Sequence, residues 1–496
     1  MSKQVHWGSM GEVKVEYMSR YKQHHSIRKL ILAVIVVGIW MVTGYQFVQR
    51  GSTDYFGTSV SRFWLGTAKH DIYSSFQQCA IENFLDTGLP FLNGVVPIQV
   101  SEYTERRDRL AEALVAEGVD AFVVEPGYTF KYFANVSQPE WEVWEPEERP
   151  FLMIVRPVRD GSGKISANTT FLSPSFEAER ARLLGMPFIE PIQIIPWEEH
   201  WDPYQTLHQS EVFLGLNRQP RLMVDEEMRD FIQRGLSQTG FEVVGLSGHV
   251  EEVRQIKSSN EVDILRAVNT GTVEAVRQMR KCLVPGLTEN EIASALDDAI
   301  RAAGMEPFFD IVLFDENASN PHGGTNGTKV LESETFVLID VGAHLFGYSS
   351  DICRTFFPPF LIKPNPGDAL TPTMKEKLKA WDIVFEAQTQ SVQRMRENYT
   401  AASVDIAARK VITDAGYGEA FTHRVGHGIG IKAHESPYLN KGNHATLLKT
   451  GMAFTSEPGI YLVDKFGARH EDIFLVQGDK EPLLLTGARA VGPWEP

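Results

Sequence analysis

Residues 336–356 read FVLIDVGAHLFGYSSDICRTF, and this stretch sets Asp340 and Asp351 against apolar, strand-like runs. Val337, Leu338 and Ile339 lead into Asp340; Gly342 and Gly347-Tyr348 then mark a turn before the chain runs back through Ile352. The pattern predicts a strand, a turn and a returning strand that brings the two acids face to face. A lone carboxylate in such surroundings is costly to bury, so each acid needs a strong compensating partner. Three later stretches pose the same problem: THRVGHGIGI (422–431) carries His427, AFTSEPGIYL (453–462) carries Glu457, and GARHEDIFLV (467–476) carries Glu471. Gly459 and Gly467 suggest a second strand-turn-strand between Glu457 and Glu471. Two hairpins and a glycine-rich histidine loop would converge on one centre.

Four carboxylates supply about four negative charges, enough for two divalent ions with one imidazole completing the shell. This oxygen-rich, mixed set suits manganese, cobalt, iron or zinc better than a structural thiolate zinc. A pair of such ions can acidify a water and polarise a carbonyl. Taken singly, an aspartate at a strand end is usually a turn or capping residue. The order Asp, Asp, His, Glu, Glu, each within its own local signature, argues against that explanation.

The motifs IDVGAHLFGYSSDICRTF, RVGHGIGIKAHESPYL, SEPGIYL and RHEDIFLV resemble those of the pita-bread metallopeptidases, the family of prolidase, aminopeptidase P and methionine aminopeptidase. The resemblance is closest to the Xaa-Pro branch and runs from about Val250 to the C-terminus. It implies an α+β pita-bread catalytic domain in which Asp340, Asp351, His427, Glu457 and Glu471 hold two divalent ions, manganese first, with cobalt, iron or zinc as alternatives. Asp351 and Glu471 would bridge the ions, Asp340 would hold one, and His427 with Glu457 the other. Glu457 would also shuttle the proton of the attacking water. His434, in IKAHESP, matches a catalytic histidine that helps stabilise the tetrahedral intermediate. His322, in NPHGGTNG, falls where the family has a substrate-contacting histidine. Arg469, two residues before Glu471 and so on the same strand face, matches an arginine that helps hold the substrate or the site. Outside that context these three would read as a turn histidine, a satisfied surface histidine and a strand salt bridge. His423, His444 and His470 match no ligand position.

The implied reaction is hydrolysis of the bond between an N-terminal residue and a following proline, by a dipeptidase or an aminopeptidase, with a homodimer as the expected assembly. Two alternatives stay open. One is a non-peptidase enzyme on the same fold, a creatinase-like hydrolase or a dimethylsulfoniopropionate lyase, although Gly342 stands where the lyase pattern has a further aspartate. The other is a non-catalytic binding relative, a class that usually loses ligands.

A chain of 496 residues with 43% hydrophobic and 23% charged residues is long enough for two globular domains. Its formal net charge of −16 argues against nucleic acid as a partner. Cys79, Cys282 and Cys353 show no paired or metal-ligand spacing, so no disulfide framework is expected.

From the N-terminus, residues 1–29 read as a cytosolic tail and residues 30–48 as a transmembrane anchor, an uncharged apolar run near bilayer-spanning length. Basic residues crowd its N-terminal side, which places the catalytic domain in the lumen or outside the cell; a cleaved signal and a secreted form are the rival reading. Sequons at Asn135, Asn168 and Asn398 fit that placement, whereas those at Asn317 and Asn326 flank His322 and are poor acceptors. Residues 49–98 read as a stalk or linker that partly packs through Phe76, Ile81, Phe84 and Leu85. Residues 99–250 alternate helix and strand, an α/β pattern whose position resembles the creatinase-type N-terminal domain. Trp141 and Trp144 could edge a substrate pocket there, with simple packing as the plainer reading. Residues 251–496 form the catalytic domain. Capping boxes at Ser258/Glu261 and Thr288/Glu291 open its first two helices, and Thr371-Pro372 opens a third.

Overall fold

The computed structural model describes residues 56–142 and 144–496, with side chains from residue 71 onward. The chain divides into two compact units, Met1–Ile72 and Tyr73–Pro496, and the sheets all belong to the second. The expected span at 30–48 and the tail before it lie outside the described residues. Among the described residues no helix is long and apolar enough to cross a membrane, so the expectation of a membrane-anchored protein with a lumenal or extracellular catalytic domain is corrected and not retained.

Within the stretch expected as a stalk runs a helix, Phe56–Asp86. Phe76, Ala80 and Phe84 recur at helical spacing and are buried, while Ile81 and Leu85 are half-buried. Cys79 on this helix forms a disulfide with Cys282, just past the helix Ser259–Arg280. That overturns the expectation of unpaired cysteines. The partners are 203 residues apart, so no local spacing announces them.

Six strands make the first sheet: β1 (Ala121–Val124), β2 (Leu152–Arg159), β3 (Ile165–Pro174), β4 (Gln193–Trp197), β5 (Arg221–Val224) and β6 (Glu242–Gly245). Their order is β4-β3-β2-β1-β5-β6, with β1-β2 and β2-β3 antiparallel and the other pairs parallel. Successive residues of β1 enter different cores. Phe122 and Val124 face one, with Leu110 and Leu114 of the helix Val100–Glu117; Ala121 and Val123 face the other, with Leu207, Ile232 and Leu236. A sheet covered on both faces needs such continuous apolar strands. Trp141 belongs to the first core and stacks on Phe151 at 3.8 Å, whereas Trp144 is exposed. Packing wins for Trp141.

The second half builds two sheets that meet. β7 (Glu306–Phe314), β8 (Val337–Leu345), β9 (Tyr348–Ser349) and β10 (Ile352–Phe356) form the first, in the order β10-β8-β7 with β9 on β8. The turn joining β8 to β9 is Phe346-Gly347, both at positive φ (50° and 84°), the geometry of a two-residue type I′ hairpin. The second sheet holds β11 (Gly426–Gly428), β12 (Glu435–Leu439), β13 (Ala453–Ser456), β16 (Asp472–Leu475) and β17 (Leu483–Leu484), in the order β12-β11-β13-β16-β17. Between β13 and β16 the chain makes a separate hairpin, β14 (Gly459–Leu462) with β15 (Phe466–Arg469). A bridge between Cys353 and Glu471 joins the two sheets. The helices Ser259–Arg280 and Glu289–Ala302 begin with the two capping boxes read from the sequence, and Thr371 caps the helix Pro372–Val392.

Candidate metal centre

The seam between the two sheets is where the acids collect. Asp340 lies in mid-strand on β8, opposite Cys353 of β10, and Cys353 in turn bridges to Glu471. Asp351 closes the β8–β9 hairpin's return just before β10, and Glu457 follows the end of β13. His427 sits in β11, in a run where only glycine fits: a Cβ at Gly426 would lie 2.2 Å from the Thr455 carbonyl oxygen.

Donor atoms of Asp340, Asp351 and Glu471 lie within 4.8 Å of one another, as do those of His427, Glu457 and Glu471, and those of Asp351, His427 and His434. The five expected ligands therefore come together in one place. His427 Nε2 is 3.3 Å from Glu457 and 3.5 Å from Asp351. Its Nδ1 is 3.1 Å from the Gly428 carbonyl. A carbonyl only accepts, so Nδ1 carries a proton, and Nε2 is the nitrogen turned toward the acids, the one a metal would take.

Electrostatics show that this cluster is short of positive charge. Burial, then Glu457, pushes Asp340 up despite Arg469. Asp351 is driven well above the carboxylate range by burial, then by Asp340 and Glu457. Glu471 is driven well up by burial, then by Asp351, Glu457 and Asp340. Glu457 alone goes the other way: burial pushes it up, but the His427 hydrogen bond and charge, with His423 and Arg469, hold it at about 2. Asp340 Oδ1 is buried without a hydrogen-bond partner. Three buried carboxylates pushed upward by burial and by neighbouring acids, with an orphaned oxygen among them, form an oxygen-rich donor set that could hold divalent cations. The donor set fits.

Around the acids, Arg469 donates to Asp340 Oδ2 at 2.5 Å, to the Tyr461 hydroxyl at 2.9 Å and to the Pro321 carbonyl at 3.2 Å. It thus pins the first acid and the segment that carries His322. His434 is more than half exposed; its ring lies 4.3 Å from that of His427 and its Nε2 3.9 Å from Asp351. Burial, then His427 and Arg424, lower its pKa to about 4. His322 is exposed on a loop at a cavity of about 280 Å³ that Ile311, Leu313 and Gly323 also line, and bonds none of the acids.

Two partners escaped the sequence reading. His423 lies 3.9 Å from Glu457, and its Nε2 is 2.7 Å from the Tyr461 hydroxyl, so a chain of contacts runs Glu457, His423, Tyr461, Arg469, Asp340. The only hint in the sequence is one more histidine in the loop of His427. Beside His434, the fully buried Glu435 pairs with Lys257 at 2.5 Å; nothing local links residues 178 positions apart. His444 makes no contact with the acids in the described residues. His470, next to Glu471, turns away to Trp381 and Phe385.

With this geometry in place, comparison with known proteins is direct. The metallopeptidase family M24 matches residues 263–478. An uncharacterized peptidase of Schizosaccharomyces pombe is 40% identical over 438 residues, covering 87% of this chain and 92% of its own. Among solved structures, the dipeptidase PepE of Mycobacterium ulcerans superposes with a TM-score of 0.65 at 29% identity, covering 79% of this chain and 98% of its own. The Xaa-Pro dipeptidase of Bacillus anthracis gives 0.61 at 27%, covering 78% and 98%. The fold of the catalytic half is that of the pita-bread peptidases. The chain belongs to metallopeptidase family M24.

Proposed function

We propose that this protein is an Xaa-Pro peptidase, a dipeptidase or an aminopeptidase, working with two divalent ions held by Asp340, Asp351, His427, Glu457 and Glu471. The observation that carries the reading is the convergence of four carboxylates with one correctly oriented imidazole, three of the acids being pushed upward by burial and mutual repulsion. Likeness to a Xaa-Pro dipeptidase supports the substrate class. Bound there, divalent ions supply Lewis acidity and a water of lowered pKa. The chain's own residues do the rest. Glu457, held anionic, accepts a proton from the attacking water and returns it to the leaving nitrogen. His434, neutral at working pH, donates a ring N–H to the carbonyl oxygen as negative charge develops there. Arg469 fixes Asp340, and His322 contacts the substrate from the cavity rim. Manganese is the first choice of ion, and a homodimer the expected assembly. The same reading divides the chain at about residue 250, into a creatinase-type domain (99–250) and the catalytic domain (251–496).

The test is release of the N-terminal residue by the metal-stripped, manganese-reloaded full chain. Xaa-Pro dipeptides, longer Xaa-Pro peptides and a non-proline dipeptide serve as substrates. Manganese-dependent cleavage confined to Xaa-Pro bonds is expected. Cleavage of the non-proline dipeptide alone, or none with both ions bound, contradicts the reading.

A further inference from the structure

The loop that carries His434 is tied to the six-stranded sheet by a cation. Between β11 and β12 the chain runs through residues 429–434, and Ser349 of β9 pins the first half of that run. Its backbone N–H donates to the Gly430 carbonyl at 2.9 Å and its Oγ to the Ile431 carbonyl at 3.2 Å. Between Ile431 and β12 the ties to other segments are side chains. Lys432, only 18% exposed, places Nζ 2.6 Å from Glu227 and 3.2 Å from Glu226. Burial pushes its pKa down, and Glu227, then Glu226, more than reverse that, so the ammonium stays charged. Glu435, at the start of β12, is the acid paired with Lys257. His434 lies between these two anchors. Among the described residues no hydrogen bond holds its own ring, whose neighbours are His427 and Asp351.

The two glutamates stand on a fixed turn. They follow β5, and Asp225 closes the turn on itself: its Oδ2 accepts the Glu227 N–H and its carbonyl the Met228 N–H, both at 3.2 Å. Met228 is buried in the core with Leu207, Ile232 and Leu236, and Arg254 meets Glu226 at 3.5 Å. Both glutamate side chains are more than a third exposed, and ion pairs of that kind add little to stability. Position is another matter. Two residue steps separate Lys432 from His434, ~7 Å at full extension, so slack at Lys432 reaches the imidazole. A misplacement of about 1 Å can cost on the order of 10²-fold in rate. We propose that Glu226 and Glu227, carried by the first sheet, are positioning residues for His434 and act on it through Lys432. This rests on the role given to His434 above and deepens it: the six-stranded sheet then takes part in the reaction by holding the loop.

The experiment follows cleavage of alanyl-proline by the manganese-loaded full chain. It compares wild type, Lys432→Met, Lys432→Arg, the double variant Glu226→Gln/Glu227→Gln, His434→Ala, and Lys432→Met combined with His434→Ala. Lys432→Met and the double glutamate variant should each lower kcat by about 10-fold, less than His434→Ala does, with KM, metal content and Tm nearly unchanged. Lys432→Arg keeps the charge and should recover most of the rate. On top of His434→Ala, Lys432→Met should have no further effect, because residues that act as one unit are not additive. An unchanged kcat in Lys432→Met, or the same 10-fold fall on top of His434→Ala, overturns the inference and leaves the Xaa-Pro reading standing. Should His434→Ala cleave like wild type, the role of His434 fails and this inference with it. Should wild type leave alanyl-proline intact, the Xaa-Pro reading fails, and hydrogen exchange of the 432–434 amides decides alone. Faster exchange there in Lys432→Met at unchanged Tm keeps the tie, and equal exchange ends it.

Discussion

Glu471 and Asp472 are neighbours in sequence, both buried, and on opposite faces of an extended strand. Asp472 is answered wholly by the chain: Arg354 and Thr486 each donate to Oδ1 at 2.6 Å, and Gln388 donates to Oδ2 at 3.0 Å. Glu471 faces Asp351, Asp340 and Glu457 instead and is driven upward. One acid's charge is balanced within the fold. The other's has no such answer and faces three further acids. The difference in partners separates the two carboxylates more sharply than burial does, because burial is the same for both.

Removing an acid from each face should break the comparison in opposite ways. Asp351→Ala takes one donor from the crowded face: bound metal should fall sharply by elemental analysis, and kcat/KM should drop by roughly 10³-fold or more. Asp472→Ala leaves the Arg354 guanidinium buried and unpaired, at a cost of about 3–5 kcal/mol in denaturant unfolding, while the folded fraction keeps its metal. If the two variants lose metal alike, the faces are not distinct. His434→Ala touches neither balance. It should lower kcat by about 10²–10³-fold with metal content unchanged.

Acidity sharpens the same contrast. Asp340, Asp351 and Glu471 have folded pKa values above their unfolded ones. As pH rises from about 4 through those raised values, the folded chain holds protons that the unfolded chain has released. Metal-free protein therefore loses stability across that window, and bound cations restore it. The gain in Tm on adding manganese should be larger at pH 8 than at pH 5; an equal gain at both would argue that the ion sits elsewhere. The smallest effect belongs to Tyr461→Phe, which removes the hydroxyl joining His423 to Arg469 and should lower stability by about 1 kcal/mol.

How much of the fold and site was legible in the sequence depends on the range of each interaction. Asp340 and Asp351 announced themselves because one short hairpin places both, and its turn residues, Phe346-Gly347, lie between them. The capping boxes at Ser258 and Thr288 are equally local. By contrast, the Cys79–Cys282 disulfide and the Lys257–Glu435 pair join distant segments, and no spacing rule reaches that far. His423 matches no ligand position; its role beside Glu457 and Tyr461 appears only when the β14–β15 hairpin folds over it. The stretch expected as a stalk lacks clear periodicity, yet its Phe76 and Phe84 are buried on one helix.

The most direct test is a calorimetric titration of the chelator-treated full chain with manganese at pH 8, beside the Asp351→Ala variant. The account predicts saturable binding of two ions per chain in wild type and loss of that binding in the variant. No saturable binding, or the same isotherm from both proteins, would contradict it.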